Sequence, residues 1–266
     1  MVKVLVSVYG KFVEEIKINK KMKKALITGA NKSIGLETAR QLMQMGFYVY
    51  LGSRDLEKGQ EALAQLQAEG LPQAEVLQID VTDDRSVQNA RQAIGEKTAV
   101  LDVLINNAGI SGGMPQNALS ATIEQFKAAY EVNVYGVVRT TQAFIDLLKN
   151  SPEPRIVNVS SSQGSLSLHS DPLYTYYAFK GAVYHSSKAA LNMYTINLAY
   201  ELRDSNFKVN AVGPGFTKTD FNNHRGTGTV EDAGKRIVKY AIVGQDGPTG
   251  KFFCEETNPE TGKIPW

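Results

Sequence analysis

Lys24-Ala25-Leu26-Ile27-Thr28-Gly29-Ala30-Asn31-Lys32-Ser33-Ile34-Gly35-Leu36 is the stretch on which the fold turns. It begins as a short apolar run and ends in the spacing Ile34, Leu36, Ala39, Leu42, Met43. A continuous apolar run followed by a helical period marks a buried strand passing into an amphipathic helix. Gly29, Ala30, Ser33 and Gly35 fill the join, and residues this small let the backbone turn tightly and approach a ligand closely. The helix start offers unpaired N–H groups and the positive end of the dipole, which together suit a phosphate. The spacing matches neither GxGxxG nor GxxxxGK[ST]. On these residues alone, an ordinary strand–helix turn remains an equal reading.

The same alternation continues outward. Strands are predicted at 47–51, 76–79, 100–105, 155–159, 207–212 and 251–253. Helices are predicted at 56–68, 86–94, 123–148, 184–202 and 230–242. Strands that alternate with helices build parallel crossovers, so the class is α/β with a doubly wound parallel sheet. In such a sheet the first strand–helix crossing is where a dinucleotide binds, which raises the phosphate reading of the turn at 28–36. No proline-rich linker or internal repeat divides the chain, so residues 22–266 read as one domain.

The chain has 266 residues with a net charge of +2, 42% hydrophobic and 21% charged residues, values of a soluble globular protein rather than a disordered one. The weak basic balance gives no reason to expect a nucleic-acid partner. No apolar run has the length of a membrane span. A single cysteine, Cys254, excludes an internal disulfide and suits a reducing compartment, so the expected location is cytoplasmic. The charge is uneven: residues 1–24 hold seven lysines against Glu14 and Glu15, a net +5, which leaves the rest mildly acidic. Residues 1–21 make a poor signal peptide or presequence. They read as a basic extension outside the fold, with Met22 an alternative start. The alternation of Val2, Val4, Val6 and Val8 with Phe12, Ile16 and Ile18 also allows a hairpin turning at Tyr9-Gly10-Lys11. His169, His185 and His224 have no metal-ligand spacing, so no metal is expected.

Seven segments, in order, resemble the short-chain dehydrogenase/reductase family, carbonyl reductase-like branch. Thr28-Gly29-x-x-x-Ser33-x-Gly35 is similar to its TGxxxGxG turn, and Leu77-Gln78-Ile79-Asp80-Val81-Thr82 to its adenine-side segment. Asn106-Asn107-Ala108-Gly109 matches NNAG, Asn133 the helix asparagine, and Ser160-Ser161-Ser162 the serine segment. Tyr184-His185-Ser186-Ser187-Lys188-Ala189-Ala190-Leu191 matches YxxSKAAL, and Pro214-Gly215-Phe216-Thr217-Lys218-Thr219 matches PGxxxT. The resemblance implies a Rossmann fold with helices on both faces and cofactor contacts from Gly29, Asn31, Lys32, Ser33, Ile34, Gly35, Asp80, Val81, Asn107, Ala108, Gly109, Pro214, Gly215, Thr217 and Thr219, besides Tyr184 and Lys188. Ser33 departs from the family's glycine. It is strained if its φ is positive, although its hydroxyl could donate to a phosphate.

The second strand runs into Leu51-Gly52-Ser53-Arg54-Asp55. An acidic residue at this strand end would hold a ribose 2′-OH, whereas arginine accommodates a 2′-phosphate. Gly52 and Ser53 offer no carboxylate, Arg54 is a flat bidentate donor, and Lys32 adds charge from the first turn. NADP(H) is therefore the expected cofactor. The alternatives are that Arg54 is a solvated loop charge or that Asp55 swings inward.

Tyrosine and lysine four apart share a helix face, and an ammonium beside a phenol draws its pKa down from about 10. By resemblance, Tyr184 gives its proton to a substrate carbonyl oxygen, Lys188 holds the nicotinamide ribose, Ser161 positions the carbonyl and Asn133 holds a water in the proton path. Tyr176 and Lys180 repeat the spacing closer to Ser161, but Gly181 follows Lys180, whereas a strong helix continuation follows Lys188. Ser160 and Ser162 are alternatives to Ser161. The insertion at 163–181 resembles the arm that carbonyl reductases lay over a dimerisation surface, which points to a monomer. With the loop at 216–229 it suggests an apolar pocket drawing on Leu166, Leu168, Tyr174, Phe216 and Phe221. The expected function is NADPH-dependent reduction of a ketone or aldehyde. The rival is a non-catalytic NADP(H)-binding sensor or scaffold, since fold alone does not establish function.

Overall fold

A computed structural model describes residues 22–266. The basic extension and its possible hairpin lie outside the described residues. The elements run β1 Lys24–Thr28, α1 Ser33–Gln44, β2 Tyr48–Ser53, α2 Leu56–Ala68, β3 Ala74–Gln78, α3 Asp84–Lys97, β4 Val103–Asn106, α4 Ile123–Tyr130, α5 Gly136–Lys149, β5 Arg155–Val159, α6 Leu166–Ser170, α7 Ala182–Glu201, β6 Lys208–Val212, α8 Val230–Ala241 and β7 Lys251–Phe253. All seven strands are parallel, in the order β3-β2-β1-β4-β5-β6-β7. The chain winds outward from β1 to β3, then crosses back to β4 on the other side of β1. The C-terminal ends of β1 and β4 therefore flank the switch point, where such sheets leave a crevice.

The strands alternate between two cores. Ala25, Ile27, Val49, Leu51, Ile105 and Val157 pack beneath α1, α2 and α8. Leu26, Tyr50, Leu104, Ile156 and Val209 pack beneath α3, α5 and α7. Burial on both faces explains why these strands read as continuous apolar runs. A smaller cluster of Ala211, Phe252, Cys254 and Ile264 sits at the β6–β7 edge.

The helix predicted over 123–148 is interrupted. A π-helical turn, Glu131–Tyr135, separates α4 from α5. Such a turn inserts one residue without ending the helix, so the apolar pattern barely changes. The insertion at 163–181 is also partly helical, with a 3₁₀ turn at Ser162–Gly164 and the short α6. It packs on the first turn of α7 through His169 and Phe179 against His185, while Met193 and Tyr200 farther along that helix stay exposed. Among the described residues no helix is long and apolar enough to cross a membrane.

Candidate active site

The β1–α1 turn is braced from β4. Thr28 Oγ1 accepts from the Asn107 and Ala108 amides, both at 3.0 Å, and Asn107 Nδ2 donates to the Thr28 and Gly29 carbonyls at 2.9 and 3.1 Å. Gly29 has φ +65°, and a Cβ on Gly35 would stand 2.3 Å from the Gly29 oxygen. Both glycines are thus demanded by the backbone. Ser33 adopts φ 50°, so the strain foreseen for a residue with a side chain is present at the first position of α1. Lys32 lies at the exposed rim, where its Nζ is 2.9 Å from Asp220 Oδ2. Its charge is thus shared with the loop at 216–229.

At the end of β2, Arg54 is exposed, and no hydrogen bond or ion pair holds its side chain among the described residues. Asp55 caps α2, accepting from the Lys58 amide at 3.1 Å, and does not turn inward. That capping bond holds its carboxyl below the ordinary range. Asp80 Oδ1 accepts from both the amide and the hydroxyl of Thr82, and Val81 is buried against Gly136. On the far side, Gly215 has φ +90°, the Pro214 carbonyl accepts from Arg236 at 2.6 Å, and Thr217 and Thr219 are buried. The segments expected to contact a cofactor therefore surround the switch-point crevice, with unobstructed backbone at the first turn and a cation at the β2 rim. This donor set fits a dinucleotide with a 2′-phosphate.

The catalytic candidates converge at the ends of β4 and β5. The Ser161 hydroxyl stands near enough to the Tyr184 phenol to draw its pKa down. Lys188 Nζ donates to the Val159 carbonyl at 2.9 Å and lies 5.7 Å from the Tyr184 ring centroid. A Cβ on Gly109 would meet Asn133 Oδ1 at 3.3 Å and Lys188 Nζ at 3.7 Å, so the loop after β4 reaches the same point. Asn133 sits on the π turn and is fully buried. Its Nδ2 donates to the Ile110 carbonyl and to Ser187 Oγ, and its Oδ1 accepts from the Ile110 amide. Both side-chain hydrogens are therefore engaged, and a water held by Asn133 would have to donate to Oδ1 or to the backbone carbonyl.

The pKa of Tyr184 is opposite in direction to the sequence expectation. Burial pushes it up to about 12, against the opposing pull of Ser161. Burial also brings Lys188 down to about 8. Both groups are driven toward their neutral forms because desolvation penalises phenolate and ammonium alike.

The alternatives are occupied elsewhere. Ser160 Oγ donates to Asn192 at 2.7 Å, and Ser162 is buried. Lys180 donates to the His169 carbonyl and covers the Tyr177 ring, and neither it nor Tyr176 lies on a helix. Phe221 packs on Tyr184 at 5.5 Å and Phe216 on Tyr176 at 6.4 Å, forming one wall. Leu168 instead packs against the Phe252 cluster and does not line that wall. Sequence reasoning missed Gln116, buried between the loop after β4 and the start of α7. No motif marks it, and its partner lies 68 positions away.

Sheet order defines an α/β protein of the doubly wound, dinucleotide-binding kind. The chain belongs to the short-chain dehydrogenase family: the model of that family, described as short chain dehydrogenase, matches residues 23–229. It is similar to (+)-neomenthol dehydrogenase of Capsicum annuum, with 34% identity over 86% of this chain and 94% of that one. Salutaridine reductase of Papaver bracteatum is 32% identical over 89% and 96%. Among solved structures, NADPH-bound carbonyl reductase from chicken fatty liver superposes with TM-score 0.77 at 28% identity, covering 92% of this chain and all of that one.

Proposed function

We propose that this protein reduces a ketone or aldehyde to an alcohol with NADPH, reversibly, and that Ser161, Tyr184, Lys188 and Asn133 form the catalytic set. The observation that carries this reading is the convergence of these side chains at the ends of β4 and β5: the Lys188 ammonium lies 5.7 Å from the Tyr184 ring centroid, Ser161 draws the phenol pKa down, and Asn133 bonds Ser187 one residue before Lys188. When bound, the nicotinamide supplies a hydride to the carbonyl carbon. Gly29, Asn31, Ser33, Ile34 and Gly35 would hold the pyrophosphate, with Lys32 and Arg54 at the 2′-phosphate. Asp80 and Val81 would hold the adenine side, and Asn107, Ala108, Gly109, Pro214, Gly215, Thr217 and Thr219 the rest.

Ser161 donates to the carbonyl oxygen and fixes its position beside the phenol. Tyr184, whose raised pKa keeps it protonated at neutral pH, passes its proton to that oxygen as negative charge builds there. Lys188 stabilises the phenolate that remains. The NADP-bound solved relatives, one of them titled a carbonyl reductase, and the dehydrogenase and reductase names among the similar proteins support the same reading.

The test is NADPH absorbance with a panel of ketones, aldehydes and quinones. Turnover is expected from the wild type, with a loss of about 100- to 10,000-fold in Tyr184→Phe. Wild-type protein that binds NADPH yet turns over nothing would establish the scaffold reading instead. Arg54→Ala is expected to weaken NADPH by about 10- to 100-fold and NADH by less than about twofold, measured by fluorescence titration. Equal losses would remove Arg54 from 2′-phosphate recognition. Light scattering tests the expected monomer.

A further inference from the structure

We infer that Gln116 is a positioning residue for Tyr184, acting as the cap that helix α7 lacks within its own sequence. The inference rests on the reading of Tyr184 as proton donor. Helix α7 begins at Ala182 behind Gly181, which has no side chain with which to cap it. The first N–H groups of a helix have no partner within the helix, and when buried they need one from elsewhere. Gln116 supplies two: its backbone carbonyl accepts from the Ala182 amide at 3.0 Å, and its Oε1 accepts from the Tyr184 amide at 2.9 Å. The same side chain faces the other way through Nε2, which donates to the Ser111 carbonyl at 2.6 Å and the Gly113 carbonyl at 2.7 Å.

One carboxamide, 4% exposed, therefore ties the backbone of the proposed proton donor to the loop that leaves Gly109 beside Lys188. Gly181 is matched to it, because a Cβ there would stand 3.0 Å from Gln116 Oε1. The amide plane needs one acceptor and two donors on the same group, which glutamine provides and neither glutamate nor methionine reproduces at neutral pH. Gln116 touches no reacting atom. It sets where the Tyr184 Cα stands relative to Ser161, and errors of about an ångström in such placement are costly.

The experiment combines amide hydrogen exchange of the cofactor-free protein with steady-state kinetics for Gln116→Met and Gln116→Glu. For the methionine variant, exchange at Ala182–Tyr184 is expected to rise at least tenfold while residues 191–198 keep wild-type rates. Its kcat for carbonyl reduction is expected to fall at least tenfold with KM for NADPH within twofold. The glutamate variant is expected to regain kcat as pH is lowered, because the protonated acid restores one donor beside the acceptor. Unchanged first-turn exchange, or faster exchange with unchanged kcat, overturns the proposal. So does a uniform rise in exchange along α7 with kcat, KM and melting temperature failing together. If the wild type reduces no carbonyl, the reading of Tyr184 as proton donor fails, and the exchange data alone decide the clamp.

Discussion

Burial drives Tyr184 and Lys188 toward neutrality, yet the proposed reduction needs them in different states. Reduction needs a proton on Tyr184, and a pKa near 12 keeps it there throughout the neutral range. The same reaction benefits from charge on Lys188, whose pKa lies near 8 and whose Nζ donates to the Val159 carbonyl. Lysine is cationic below its pKa, so kcat for reduction is expected to be level from about pH 6 to 8 and to decline above it. A rate profile with a non-ionising ketone checks this, and a plateau continuing to about pH 10 would contradict a role for the lysine charge. Positions 184 and 188 were legible as a pair from the helix continuation after Lys188 and the YxxSKAAL resemblance, since Tyr176 and Lys180 share their spacing. The direction of the shifts was not, because desolvation depends on what packs around the two groups and not on their separation along a helix.

At the level of elements, a buried polar chain locks the active end of the sheet to its helices. Asn106 Nδ2 donates to Thr141 Oγ1 and Asn158 Oδ1, Asn158 Nδ2 donates to Thr195 Oγ1, and Thr195 donates to the Leu191 carbonyl. These bonds join β4, β5, α5 and α7, and none of the four side chains is more than 2% exposed. Asn158→Ala strands a donor on Asn106 and opens a small void. The expected loss is about 2–3 kcal/mol, read as a lower urea midpoint at unchanged slope. Strand and helix order could be read from apolar runs and periods, and the boundaries moved by only a few residues. The π turn that carries Asn133 could not be read, since one inserted residue leaves a 3.6-residue pattern nearly intact over 26 positions. Gln116 was equally invisible: a cap supplied from another loop leaves no trace at the helix it serves.

Across the whole molecule, the arm at 163–181 meets the core through two imidazoles. His169 and His185 lie with ring centroids 4.6 Å apart, bordered by Tyr174, Phe179, Tyr184 and the cation of Lys180. Burial, then the neighbouring His169 and Lys180, bring His185 down to about 4, and burial lowers His169 as well. Unfolded histidine takes up its proton near pH 6.5 and the folded pair does so lower. Their contribution is therefore complete above pH 6.5 and is lost as pH falls toward 4. For His185 the change is up to about 3 kcal/mol. Urea midpoints between pH 7 and 4.5 are expected to fall, and to fall less in His185→Phe. Sequence spacing showed these histidines only as non-ligands, because their encounter needs the arm to fold back.

That arm is also tied to the far end of the chain. Ser165 Oγ donates to the Pro265 carbonyl and Ser167 to that of Trp266, whose indole stacks on Phe252 at 5.4 Å. Trp266 is the only tryptophan in the sequence. Its emission is thus a built-in optical gauge for the arm, since lifting the two serines away would loosen the stack and expose the indole to water. Any movement of the arm could then be followed in unlabelled protein, in real time, from a single fluorophore.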